Sequence, residues 1–572
     1  MNFIIENKYN SLLNIVYFII FLSISNIFLP NLPPGSGLSL FVNNIVWLTS
    51  IIFVYIAILS IVDKGYWVKP INFIVHLSLI LALVLPFLWS DDITGKGFYR
   101  MLGAVFGIIF FLCLFSSFTK KKIWVLVIAI SLSGFIQALW GCIQIWVIPE
   151  SIIPHGTPMG VFQQPNVMAS YVVTTFIVSL LLFSICPVTF KKIDKWVNFS
   201  VYLFAFLVGM LVVLLNSSTS YLALIISLPL MLLAHRSKPK KILIAIIVML
   251  LGVSVALLIN SGFFESLSGS IVEKVNRFNL SIGNTLDSGG RKYIWLICWE
   301  MFKENWLTGV GYGNFEHSFM EYQAQHYQLY GEYAFEKLNH PHNEFIHWVV
   351  EGGVLPGLAF VGYTIYILSR MFKMGEPALP YAAALIPLVA HAFLEYPFYH
   401  SAIHWILFVT LLFLFEMQEE NTANVEFNYK KTVRYTASAL TLVTSLFFIT
   451  NMHAIIVLNK YNKTEFSNRN VKKLSVIVNN FTVRPHINYF VMKTMLERGI
   501  REKKELFIKQ SVSILEKMNS NEPRPEYYKN MLVAYEALGD KENFKMKFQE
   551  ARYYYPLNEY FLDIEKRFNS IL

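Results

Sequence analysis

Residues 120–148 read KKKIWVLVIAISLSGFIQALWGCIQIWVI. Three lysines lead directly into 26 residues without a charged side chain. About 20 such residues span the hydrocarbon core of a bilayer, and a lysine cluster at one end of the run marks that end as cytoplasmic. Outward from this stretch, apolar runs recur at 11–30, 40–62, 71–89, 101–119, 123–148, 166–187, 197–215, 219–234, 242–260, 344–369, 378–396, 401–416 and 435–458, thirteen in all. The whole chain of 572 residues is 55% hydrophobic and only 15% charged. Soluble domains are about a quarter charged, so this chain has too little polar surface for a water-soluble globule.

The basic residues test the count of crossings. With a cytoplasmic N-terminus, the cytoplasmic segments hold Lys8; Lys64 and Lys69; Lys120, Lys121 and Lys122; Lys191, Lys192 and Lys195; Arg236, Lys238, Lys240 and Lys241; Arg370 and Lys373; and Lys430, Lys431 and Arg434. The short loops opposite hold only Lys96 and Arg100, a bias of eighteen to two that alternates at every crossing. The net charge of +10 is therefore a topology signal and not a nucleic-acid surface. Cys113, Cys142, Cys186 and Cys298 show neither a disulfide framework nor a metal spacing. No small-residue cleavage site follows the first apolar run, which reads as an uncleaved anchor.

The expected fold is all-α: a polytopic membrane protein of about thirteen transmembrane helices, with a large trans-side loop and a helical trans-side tail. The expected parts are helices 1–9 over 1–260, the loop over 261–343, helices 10–13 over 344–458 and the tail over 459–572. In a bacterium the trans side is the periplasm. In the tail, Tyr535, Leu538, Gly539, Ala551 and Pro556 match the spacing of a tetratricopeptide repeat, a helix pair of about 34 residues. Stacked pairs would offer a concave surface to a protein partner; a stabilising cap on the membrane domain is the alternative.

Long loops in compact proteins usually carry function. The 261–343 loop holds Ser288-Gly289-Gly290-Arg291-Lys292, then Gly309-Val-Gly-Tyr-Gly-Asn-Phe315, then His340-Pro341-His342-Asn343-Glu344, after which come His347, Trp348 and Glu351. The glycine run follows no strand and lacks a P-loop lysine, so it reads as a tight turn with close backbone approach. Arg291 opens a helix, where a guanidinium and free N–H groups together suit an anion; a solvated helix-start arginine is the plainer option. His342 suits a general base near neutral pH, or a capping or packing role. His340, His342 and His347 lie close in sequence, but their spacing is not that of a zinc helix and no metal is expected. Gln163-Gln164-Pro165-Asn166 places amides at a helix mouth, suited to sugar hydroxyls, a pyrophosphate or a capped turn. His391 and Glu395 stand four apart; ionisable groups at membrane depth usually face an interior site, although a structural pair is as good a reading.

Gly-Val-Phe-Gln163-Gln164-Pro165-Asn166, Arg291-x-x-x-Trp295, Gly309-Val-Gly-Tyr-Gly-Asn-Phe315, Pro341-His342-Asn343-Glu344 with Glu351-Gly352-Gly353, and Leu394-Glu395-Tyr-Pro397 together resemble the O-antigen ligase and polymerase superfamily. Within it the chain looks like the PglL-like bacterial protein O-oligosaccharyltransferases, from about residue 130 to the end. The resemblance implies transfer of a glycan from an undecaprenyl-pyrophosphate carrier to a serine or threonine hydroxyl of a periplasmic protein such as a pilin, in the bacterial inner membrane. It implies His342 as base or acceptor-positioning group. It also implies Arg291, Lys292 and Arg100 at the donor pyrophosphate, and Gln164, Asn166, Asn343, Glu351, His391 and Glu395 at the substrate, with neither metal nor cofactor. Relatives often carry Ser-Arg where this chain has Ser218-Thr219, and Arg100 is the candidate replacement. An O-antigen ligase or a glycan polymerase is the alternative within the superfamily; the tail argues mildly against both. A lipid or glycan transporter is the alternative outside it, but the chain shows no paired repeats with broken helices.

Overall fold

The computed structural model describes residues 2–23, 26, 37–90, 96–146, 158–185, 194–237, 239–260, 288–419, 421–464 and 471–569. His155, Cys186, Lys191, Lys192, Lys238 and the first part of the long loop, 261–287, lie outside these residues. Among the described residues every regular element is helical except one two-stranded ladder. That is what lipid demands, because a helix satisfies its own backbone donors and acceptors.

The protein is an all-α polytopic membrane protein. Among the described residues eight helices are long and apolar enough to cross a bilayer: Phe41–Lys64, Gly97–Ser117, Lys120–Ile145, Pro165–Ile185, Asp194–Leu215, Lys240–Ile259, Val354–Met374 and Lys430–Lys463. Shorter apolar stretches at Tyr9–Leu22, Phe73–Trp89, Ser218–Ala234 and Ala402–Glu416, and the helix Leu379–Ala392, occupy the other runs. One run differs from expectation. Residues 344–369 are not a single helix: Glu344–Gly352 ends at Gly353, which has φ +77°, and Val354–Met374 starts afresh. A Cβ at Gly353 would overlap the Leu307 carbonyl, and the Val354 N–H donates to the Trp306 carbonyl at 2.8 Å. The first nine residues of the apolar run therefore belong to the polar region before the span.

The chain forms two compact units. The first comprises residues 1–80, 103–285 and 361–448 and holds the larger apolar core. Its helices Asp194–Leu215 and Lys240–Asn260 cross where Gly209 lies against the Met249 carbonyl and Gly252 against that of Phe206. Small residues let backbones approach this closely where no hydrophobic force separates helix from lipid. Its loops fall into two sets. Tyr66–Pro70 pairs antiparallel with Thr422–Glu426, Tyr66 opposite Glu426. Arg434 pairs with Asp63, Arg236 with Glu376, Lys373 with Glu419 at 3.0 Å, and Lys241 with Asp194 at 3.3 Å. Such pairs are each worth only about 0–1 kcal/mol, but every one joins segments that the charge count assigns to one side. The other set is joined by Asn43, whose Nδ2 donates to the Gly37 and His400 carbonyls at 2.8 and 2.7 Å.

The second unit comprises residues 81–102, 286–360 and 449–572. Loop and tail share one core: Ile294, Ile297, Met301, Phe315, Phe319 and Met320 from the loop pack with Met492, Leu515, Tyr528, Met531, Leu532 and Phe561 from the tail. The tail helices Arg484–Glu502, Glu505–Asn521, Pro525–Leu538 and Lys541–Tyr554 pack each on the next. Polar contacts seat them on the loop helix Phe315–Tyr330. The Arg524 Nε donates to Glu316 at 3.2 Å, and the hydroxyls of Tyr553 and Tyr554 to Glu321 at 3.1 and 2.6 Å.

Each large side chain in this shared core contributes about 1.5–3 kcal/mol by burial. A chain ending at residue 463 should therefore leave the loop unfolded: limited proteolysis of the membrane-inserted protein would cut within 288–343, where the full chain resists.

Candidate functional site

The second unit gathers six of the proposed site residues. Helix Ser288–Glu304 buries Ile294, Ile297, Cys298 and Met301. In its first turn Arg291 is half-buried and Lys292 exposed. From the same helix the Trp295 Nε1 donates to the Pro341 carbonyl at 3.1 Å, which fixes the turn that carries the histidine. His342 has φ +50°. A non-glycine residue held in the left-handed region is strained, and such strain clusters at functional sites. The His342 N–H donates to Nδ1 of His340 at 3.2 Å, and the two rings lie 4.2 Å apart. Asn343 caps the helix Glu344–Gly352, its Oδ1 accepting from the Ile346 N–H at 2.9 Å. The cap and Trp295 thus hold His342 from both sides.

Glu351, near the end of that helix, organises the rest. It is buried and pairs with Arg100. Its Oε1 accepts the N–H groups of Gly313 and Phe315, both at 3.1 Å, and lies 3.4 Å from Nε2 of His347. The glycine run wraps this helix end: Gly309, Gly311 and Gly313 all have positive φ, and a Cβ at Gly309 would overlap the Glu351 carbonyl. The run is the close-approach turn that its sequence suggests, built around a carboxylate. Arg100 lies 4.3 Å from the Trp348 ring and 5.2 Å from that of Tyr312, within cation–π range. Tyr312 donates to the Leu83 carbonyl at 2.7 Å. Burial alone would raise the Glu351 pKa; the Arg100 charge, followed by His347, overturns that and holds it at about 2. Glu344 is also buried, and there burial outweighs Arg100 and raises the pKa to about 7.

The first unit holds Gln164, Asn166, His391 and Glu395. Gln164 occupies the N-cap position of helix Pro165–Leu180, and Asn166 lies in its first turn. The preceding turn is held by two amides from the span before it. Gln144 accepts from Met159 and Gly160 at 3.0 and 2.8 Å, and Gln137 accepts from Val161 at 3.3 Å. Sequence reading passed over both; their signal is two glutamines seven apart in an otherwise apolar run. His400 bonds the Phe162 carbonyl and His404 the Val167 carbonyl, each at 3.1 Å, so the 396–404 segment packs on the Gln163-Gln164 turn. His391 is fully buried near the end of helix Leu379–Ala392, with its ring 6.4 Å from that of His404. Glu395 lies beyond that helix, and a bond of 2.8 Å from its N–H to the His391 carbonyl keeps the two one turn apart. Cys113, Cys142 and Cys298 are buried free thiols.

Fold and site together define an integral-membrane protein with a strained histidine at the head of a short, capped helix. Known families agree over most of the chain. A family described as protein glycosylation ligase matches residues 158–183, one described as O-antigen ligase matches 203–362, and one described as virulence factor membrane-bound polymerase, C-terminal, matches 381–567. No curated protein matches. The chain is a PglL-like member of the O-antigen ligase superfamily, and so a glycan-transferring membrane enzyme.

Glu344 gives a pH test. Its folded pKa is raised above its unfolded value, so the folded state binds the extra proton. Stability is fully present below about pH 4.5 and falls as pH rises through about 7, by roughly 3 kcal/mol at most. Thermal unfolding in detergent should show Glu344→Gln stabilised over wild type at pH 8, with little difference at pH 4.5. Glu351 is the reverse case. Glu351→Gln leaves Arg100 buried without its countercharge, and the same melts at pH 7 should show a loss of about 3–5 kcal/mol.

Proposed function

We propose that this protein transfers a glycan from an undecaprenyl-pyrophosphate carrier to a serine or threonine hydroxyl of a periplasmic protein such as a pilin. The observation that carries the proposal is His342, strained and fixed from both sides just before the span Val354–Met374. The match to a protein glycosylation ligase over the Gly160–Asn166 turn supports a protein acceptor. In this scheme the acceptor oxygen attacks the anomeric carbon and its proton passes to His342. The bond from that carbon to the pyrophosphate oxygen breaks, and the lipid pyrophosphate leaves with the bonding pair. Arg291 stabilises the charge that grows on the leaving group, and no metal takes part. Asn343 positions His342 through its helix cap. Gln164, Asn166, His391 and Glu395 are assigned to substrate. Arg100 and Glu351 act through the turn they hold, as positioning residues.

The same proposal places the chain in a bacterial inner membrane, N-terminus cytoplasmic and tail periplasmic. The eighteen-to-two charge bias and the two separate sets of loop contacts support that orientation. Loop and tail then act as one periplasmic domain between and after the two groups of spans. A ligase that joins glycan to a lipid core is the second reading, favoured by the O-antigen ligase match over 203–362.

Surface and periplasmic proteins compared by mass with and without the gene, with lipopolysaccharide scored in parallel, separate the two readings. Loss of a glycan mass from one protein, with lipopolysaccharide intact, is the expected result; truncated lipopolysaccharide with unmodified proteins would make the chain a ligase or polymerase. In reconstituted enzyme, His342→Ala should abolish transfer with the protein still inserted, and Arg291→Ala should lower kcat for the lipid-linked donor more than it raises KM, since the charge it stabilises grows only as the bond breaks.

A further inference from the structure

The helix Ser288–Glu304 has a second face that the site does not use. Its inward face carries Ile294, Ile297, Cys298 and Met301. The opposite stripe carries Lys292, Leu296, Trp299 and Lys303, and continues into Trp306 and Leu307 beyond the helix end; all six are exposed. A water-facing stripe would be polar. This one alternates lysines with tryptophan and leucine, and it leaves Trp299, Trp306 and Leu307 each more than half exposed. Apolar exposure on this scale marks an interaction surface.

The ends of membrane helices show what covers it. Trp306 accepts the N–H of Val354, the first residue of the span Val354–Met374, at 2.8 Å. The next turn is held by Trp89, the last residue of the apolar stretch Phe73–Trp89, whose Nε1 donates to the Thr308 carbonyl at 3.1 Å. Leu88, beside it, is 79% exposed, as befits a lipid-facing side chain. The stripe thus begins where two apolar helices end, and it runs on from them without a break.

We propose that this face lies in the membrane interface, with Leu296, Trp299, Trp306 and Leu307 at the boundary of the acyl chains and Lys292 and Lys303 against anionic phospholipid headgroups. Tryptophan favours that layer, an amphipathic helix with lysines on its flank lies flat in it, and an anionic surface attracts those lysines. The helix that fixes His342 through Trp295 is then itself anchored at a set depth in the bilayer.

Site-directed spin labelling of the full-length protein tests this. Cys113, Cys142 and Cys298 are buried, so Trp299→Cys or Trp306→Cys in a Cys186→Ser background takes the label selectively. Glu542→Cys, on the exposed face of a tail helix, is the aqueous reference. In nanodiscs with one copy each and containing anionic lipid, labels at 299 and 306 should collide with oxygen readily and with a water-soluble nickel chelate several-fold less than the label at 542. Zwitterionic discs, or Lys292→Glu with Lys303→Glu, should weaken that protection. Nickel access equal to that at 542 would overturn the proposal. Protection found only with two copies per disc would assign the face to a second copy, and protection that persists in lipid-free amphipol would assign it to the protein's own chain; either also overturns it. None of these readings depends on glycan transfer.

Discussion

A carboxylate that cannot reach water organises the second unit. Glu351 takes the Arg100 charge, two backbone N–H groups from the glycine run and the proximity of His347, all through two oxygens. Arg100 belongs to the start of the span Gly97–Ser117, the glycine run to the long loop, and Glu351 to the helix that His342 precedes. Three segments far apart in sequence are thereby tied at one point. The ion pair is not a source of great stability, since desolvation offsets much of the attraction between buried charges. Its effect is on specificity: with either partner missing, the remaining charge is stranded, so only the arrangement that brings all three segments together is tolerable.

The hydrophobic pattern made most of the fold legible. Apolar runs of spanning length and lysines on alternate loops identify the helices, and loop-to-loop contacts in the first unit join the segments that the charges had grouped. The break at Gly353 was not legible, because the run is apolar on both sides of it. What distinguishes Glu344–Gly352 from the span after it is the Leu307 carbonyl pressing on Gly353, a contact with a residue 46 positions earlier. The Arg100–Glu351 pair was hidden for the same reason: 251 residues separate the partners, and no local periodicity records such a meeting. His342 was legible through the Pro341-His342-Asn343-Glu344 stretch; its left-handed backbone and the helix cap supplied by Asn343 were not. Gln137 and Gln144 could have been found, since amides deep in an apolar helix need partners.

The loop and the tail, separated in sequence by four apolar runs, share one core. The tail supplies the missing half of that core and receives the acidic residues Glu316 and Glu321 of the loop on Arg524, Tyr553 and Tyr554. A stack of successively packed helices suits this task, because each helix adds an apolar face without needing a long-range closure of its own.

The ladder between Tyr66–Pro70 and Thr422–Glu426 also has a consequence in time. Its first strand leaves the ribosome roughly 350 residues before the second, a wait on the order of 20–70 s at bacterial to eukaryotic elongation rates. Throughout that interval the backbone groups of Trp67 and Lys69, which face the later strand, form an open edge, and open edges invite pairing with whatever strand is near. The lysine at position 69 guards that edge by its charge, and the strand ends at the proline at position 70. The nascent protein therefore carries a guard on this edge until its own late segment arrives to close it.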